Sequence, residues 1–100
     1  MANTAKSLVR AAAGTSTATL YTVPASTTTV VTNIVVTNSA ATSATFTLTL
    51  DGVDIFTTTA IAANSTAMFD LRQVLATTKI IAGFASAVTV KFHISGMEIA

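Results

Sequence analysis

Phe46, Leu48 and Leu50 alternate with Thr45, Thr47 and Thr49, and the run ends directly on Asp51-Gly52. A period of two fits an extended strand with one face buried and the other open, and it does not fit a helix. Asp-Gly then supplies the two central residues with positive φ that a type I′ turn demands, and β-forming residues resume at Val53. Residues 43–50 and 53–58 are therefore predicted to form a hairpin.

The same pattern extends along the chain in both directions. Residues 17–23 predict a strand stopped by Pro24, which cannot donate to a ladder and holds the residue before it extended. Residues 28–38 carry Val30, Val31, Ile34, Val35 and Val36, enough on both faces to predict a central strand. Ala67, Phe69 and Leu71 alternate with Met68, Asp70 and Arg72 over 66–72. Further strands are predicted at 78–84 and at 88–95, where Val88, Val90, Phe92 and Ile94 oppose Thr89, Lys91, His93 and Ser95. Gly96 is expected to break that run before a last edge at 97–99, and Arg72-Gln73-Val74-Leu75 to make one turn of helix. About eight short strands separated by regular turn signals predict an all-β fold, a single antiparallel β-sandwich of jelly-roll-like character. Residues 1–14 show no clear period and read as a polar N-terminal arm, leaving 15–100 as the sandwich domain, with 11–14 open to a flexible joint or an early edge strand.

Composition supports this reading and removes several function classes. The chain has 21 Thr, 10 Val and 7 Ile, residues that suit a pleated, half-buried surface. Its mean hydropathy of +0.69 owes much to 19 Ala, which contribute little area each. Although residues 11–50 are uncharged, Thr, Ser and Asn interrupt every apolar run well short of a membrane span. Five Lys and Arg against four Asp and Glu leave no basic stripe for nucleic acid. The chain has no Cys, so it holds no disulfide, thiolate zinc site or cysteine nucleophile, as suits cytoplasmic synthesis. The opening residues lack the apolar run of a secretory signal. Only 9 % of residues are charged, against about a quarter in ordinary domains, which implies that other copies or another protein cover much of the outside.

The titratable residues are few enough to weigh one by one. His93 sits in the outward phase between Lys91 and Ser95, so a solvated or interface role outweighs a catalytic one, and no nucleophile elbow accompanies it. Asp51 and Asp54 lack the alternating oxygen ligands and closing Glu of a calcium loop, so they read as turn residues. Asn64-Ser65-Thr66 matches a glycosylation acceptor but is most simply a turn. Four scattered glycines build no phosphate loop. Phe46, Phe69 and Phe92 fall in the apolar phase and are assigned to the core. No catalytic residue, metal ligand or cofactor is therefore expected, and the chain is not expected to be an enzyme. The candidates are interface residues: Lys6 and Arg10 on the arm, Tyr21 with its ambiguous phase, Asp70 and Arg72 two apart on one strand, and His93.

Leu20-Tyr21-Thr22-Val23-Pro24-Ala25, the Val-rich stretch over 30–38, Leu48-Thr49-Leu50-Asp51-Gly52-Val53 and Ala63-Asn64-Ser65-Thr66 follow one another in an order that resembles small β-sandwich structural proteins of tailed bacteriophages. The closing residues 92–99 are similar in kind, and the likeness covers about 19–99. The resemblance implies a virion protein, foremost a capsid cement or decoration protein. Such a protein binds the major capsid protein as a homotrimer on the capsid surface and stabilises the mature head, without nucleic acid or membrane as partner. A tail, neck or fibre component is the alternative within the structural class, and a carbohydrate-binding module on the virion the alternative outside it.

Overall fold

The computed structural model describes residues 3–100. Eight strands follow in order: β1 (Asn3–Ala12), β2 (Ala18–Thr22), β3 (Thr28–Asn38), β4 (Ala44–Leu50), β5 (Val53–Ile61), β6 (Ser65–Leu75), β7 (Ile80–Ala85) and β8 (Val90–Ile99). They form two antiparallel four-stranded sheets, ordered β1-β8-β3-β6 and β2-β7-β4-β5. Strand β1 pairs with β8, β2 with β7, β3 with β6 and β4 with β5. The chain is thus a long antiparallel ribbon wrapped into a sandwich, which is the jelly-roll order. Its tip is the Asp51-Gly52 turn, where both residues hold positive φ, 55° and 76°. The β-sandwich of eight strands expected from the sequence is the observed fold.

The inward phases meet in one core. Phe46, Leu48 and Leu50 of β4 and Phe92 and Ile94 of β8 are buried, as are Ile34 and Val36 of β3. Phe46 and Phe92 come from opposite sheets and meet edge to face, with ring centroids 6.1 Å apart at 67°, an arrangement that adds to the stabilisation from buried area. Polar side chains close the core at both ends of β3. At one end the buried Asn38 donates to the carbonyls of Thr42 (2.9 Å) and Ala62 (3.3 Å). Its Oδ1 accepts from the amide of Ala40 (3.1 Å) and the hydroxyl of Thr89 (3.1 Å). At the other end lies Thr29. Every buried side-chain N or O among the described residues has a hydrogen-bond partner, as a stable interior requires.

Four local expectations need correction. Residues 3–14 of the expected arm are not an arm: β1 is an edge strand along β8, and Leu8, Val9 and Ala13 are buried. The register shifts between Ser7 and Val9, and this bulge turns two consecutive apolar side chains inward, which hides the period of two. Met1 and Ala2, part of that reading, lie outside the described residues. Residues 72–75 extend β6 instead of forming a helical turn. Gly96 does not break its run. It lies within β8 because a Cβ there would stand 2.2 Å from the Val30 carbonyl oxygen, so the backbones approach where only glycine fits. Val88 lies in the loop before β8 with 63 % of its surface exposed, outside the core.

Candidate functional site

The six interface candidates fall into two places. The first spans the gap between the sheets. Glu98 shares the inward phase of β8 with Phe92, Ile94 and Gly96, and it lies opposite Thr29 of β3. Tyr21 reaches it from β2 in the other sheet, and its hydroxyl donates to Glu98 Oε2. That donation uses the only phenolic proton, so Thr29 donates to the Tyr21 oxygen, at 2.9 Å. Lys6 of β1, opposite Gly96, approaches the same carboxylate at 3.3 Å. The Tyr21 hydroxyl is pushed up to about 12, chiefly by burial and then by its bond to Glu98. Glu98 is held below its ordinary value, first by the Tyr21 hydrogen bond and, against a smaller opposing effect of burial, by Lys6. Around neutral pH the phenol stays protonated and the carboxylate stays charged, so the group is a clasp between sheets and is not tuned for proton transfer.

The second place is the outward surface of the β1-β8-β3-β6 sheet. Register sets Arg10, His93, Val35 and Met68 side by side across the four strands, and Ser7, Ser95, Asn33 and Asp70 in the next row. Asn33 Nδ2 donates to Asp70 Oδ1 at 3.4 Å. Lys91 lies outward two residues from His93, with its ammonium 3.4 Å from the Ser39 hydroxyl. In β6 the register shifts opposite Thr32, so Leu71 and Arg72 together face one residue of β3. This bulge opens a shallow concavity of about 590 Å³ lined by Thr32, Asp70, Leu71 and Arg72. Asp70 and Arg72 share it without forming an ion pair. Met68 and Val74 on the same edge strand are 74 % and 68 % exposed.

The structure therefore joins Lys6 to Tyr21 through Glu98, and it places Arg10, His93, Asp70 and Arg72 on one outward surface. Sequence reasoning missed Glu98, Met68 and Val74 as members of these groups. Met68 had a signal, a large apolar residue in the polar phase between Thr66 and Asp70. Val74 falls in that same outward phase, two positions beyond Arg72, and was hidden by the reading of 72–75 as a helical turn. Asp51 lies in its turn 3.6 Å from Lys79, and Asp54 accepts from the Thr57 hydroxyl at 2.9 Å. Among the described residues no three His, Asp or Glu side chains converge as metal ligands. The groups on the outward surface are mixed in polarity and spread across four strands, whereas the Tyr21, Thr29 and Glu98 group is part-buried between the sheets. Comparison of the chain with protein-family models and with curated protein sequences finds no match.

Proposed function

We propose that the protein is a structural component of a tailed-bacteriophage virion, acting as a cement or decoration protein on the major capsid protein lattice. The observation that carries this reading is the outward surface of the β1-β8-β3-β6 sheet, where few charges interleave with the exposed Met68 and Val74. Surfaces of this kind serve as contact sites. Two features agree with it. Strands β1 and β6 are long sheet edges of 10 and 11 residues, which offer backbone groups to a neighbour. The ordered likeness of residues 20–25, 30–38, 48–53 and 63–66 to small phage β-sandwich proteins supplies the class, since a jelly-roll fold by itself names no function.

The mechanism is additive. A ligand that binds one state and not another stabilises it by mass action. Many copies engaged on one shell multiply a modest contact into a large effect on the mature lattice.

Immunogold electron microscopy of purified particles, with antibody against this chain, tests the reading. Label spread over the icosahedral head is the expected result. Label confined to the tail replaces cement with a tail or neck role, and unlabelled particles overturn the virion assignment.

A further inference from the structure

The charges of this chain are sorted by face. Lys6 and Lys79 are neutralised by Glu98 and Asp51, at 3.3 Å and 3.6 Å. The remaining three cations, Arg10, Arg72 and Lys91, make no ion pair among the described residues. Arg10 and Lys91 point out from the β1-β8-β3-β6 sheet, and Arg72 lines the concavity at its β6 edge. The one carboxylate on that surface is Asp70, already held by Asn33. The opposite outward surface carries Thr45 and Thr49, with Asp54 beside Thr49, while Thr47 in the same phase is covered and accepts from the Thr58 amide. A chain with a net charge of only +1 therefore concentrates its unpaired positive charge on one side.

On that side the charge stands next to apolar groups. Arg10 and His93 are cross-strand neighbours at one end of a row that continues through Val35 to the exposed Met68. Strands lie about 4.8 Å apart, so the row spans about 14 Å. Three cations are too few to retain nucleic acid at ordinary salt, where affinity rests on the number of phosphates neutralised. They match a protein segment that brings both carboxylates and an apolar side chain.

We infer that the outward surface of the β1-β8-β3-β6 sheet docks an acidic protein segment, whose carboxylates pair with Arg10, Lys91 and His93 and whose apolar side chains seat on Val35 and Met68. This rests on the virion reading only for which protein supplies the segment. The steering is electrostatic and the seating apolar, so salt weakens the complex without abolishing it.

Titration of the isotope-labelled full chain with a blocked Glu-Ser-Glu-Ser-Leu-Ser-Leu peptide, followed by NMR, tests this without virus particles. In an extended peptide, same-face side chains fall about 6.8 Å apart, so two such intervals, from the first Glu to the first Leu, span the row. Saturable shifts are expected at the amides of Arg10, Val35, Met68, Lys91 and His93. The Lys-for-Glu peptide, and the Arg10→Glu/Lys91→Glu variant with the original peptide, should each bind about tenfold more weakly. Arg10→Gln/Lys91→Gln replaces that variant if it loses the dispersed spectrum of the folded chain. The inference is overturned by shifts that do not saturate or that map to the Thr45 and Thr49 surface. Equal binding of the Lys peptide, or tighter binding of a thymidine oligonucleotide at the same amides, overturns it too. Concentration-dependent shifts on both outward surfaces without peptide would assign the surface to a second copy instead. None of these outcomes depends on where the gold label falls.

Discussion

The Tyr21 hydroxyl donates to the Glu98 carboxylate across the gap between the two sheets, and the same oxygen accepts from Thr29. One phenol thus ties β2 to β8 and β3 at an end of the core where apolar packing gives way to polar groups. The Lys6 ammonium draws β1 into the same group. All four strands depend on pairing between residues far apart in the sequence, so the clasp holds contacts whose closure carries a high entropic cost.

Tyr21→Phe keeps the ring and deletes the hydroxyl. Thr29, fully buried, then loses its acceptor, and Glu98 loses one donor while keeping Lys6. An unsatisfied buried group costs about 1–3 kcal/mol, so the urea midpoint should fall with the slope of the transition unchanged. An unaltered midpoint would show that the clasp contributes nothing to folding.

The same group sets the pH range of full stability. Glu98 has a depressed folded value, so its contribution is complete above its ordinary 4.5 and is lost as pH falls through the folded value. Tyr21 is raised, so its contribution is complete below its ordinary 10.0 and is lost as pH rises towards about 12. Stability should therefore be flat with respect to this group between these limits and fall outside them. Glu98→Gln should remove its share of the acid-side fall. Because Tyr21 is the only tyrosine, absorbance at the tyrosinate band reads its titration directly, and little ionisation is expected at pH 10.

Phe92→Ala should cost about 3–5 kcal/mol, as for other buried aromatic truncations. Phe92 has no exposed surface and packs on Phe46 from the facing sheet. Coupling between the two, read from a double-mutant cycle with Phe46→Ala, should be absent only if the edge-to-face contact adds nothing to the burial.

Where one residue sufficed to set the phase, the sequence was legible. Strand β3 runs over Thr28–Asn38 as the β-branched run implied, and the Asp51-Gly52 turn has both φ values positive. The alternation of β4 and β6 sorts inside from outside as read, because period two survives wherever the ladder is regular. The misreadings cluster where it is not. Leu8 and Val9 both turn inward at a bulge, and residues 72–75, read as a helical turn, continue β6 directly past another bulge at Leu71 and Arg72. Gly96 serves the close approach of β3, a tertiary fact with no local sign. The clasp was hidden for a related reason: Tyr21 and Glu98 stand 77 positions apart, and only the wrapped ribbon brings β2 over β8. Of the outward surface, the phase of Asp70, Arg72 and His93 was readable, while its neighbours Arg10 and Val35 depended on strand order.

Gly96→Ala places a methyl 2.2 Å from the Val30 carbonyl oxygen and 3.0 Å from Leu8 Cδ1. Backbone cannot swing aside as a side chain does, so the cost should reach about 3 kcal/mol, the upper part of the usual overpacking range. Gly52→Ala meets open space and suffers only from its φ of +76°, a cost of about 1 kcal/mol. The order of their urea midpoints checks the close approach, and a reversed order would contradict it.

Deleting residues 1–12 removes β1, with Leu8 and Val9 from the core and Lys6 from Glu98, and it leaves β8 exposed as a new edge. Each buried aliphatic side chain contributes about 1.5–3 kcal/mol, and a domain of this size has about 5–15 kcal/mol in all. The truncated chain should therefore lose its cooperative unfolding transition or aggregate through β8. Leu8→Ala isolates the packing share, with an expected cost of about 2–5 kcal/mol. A truncated chain that unfolds at the full-length midpoint would return β1 to the role of a detachable arm, and an unchanged Leu8→Ala midpoint would agree with it. Loss in both experiments makes β1 part of the fold, so that any attachment it provides cannot be separated from the stability of the sandwich.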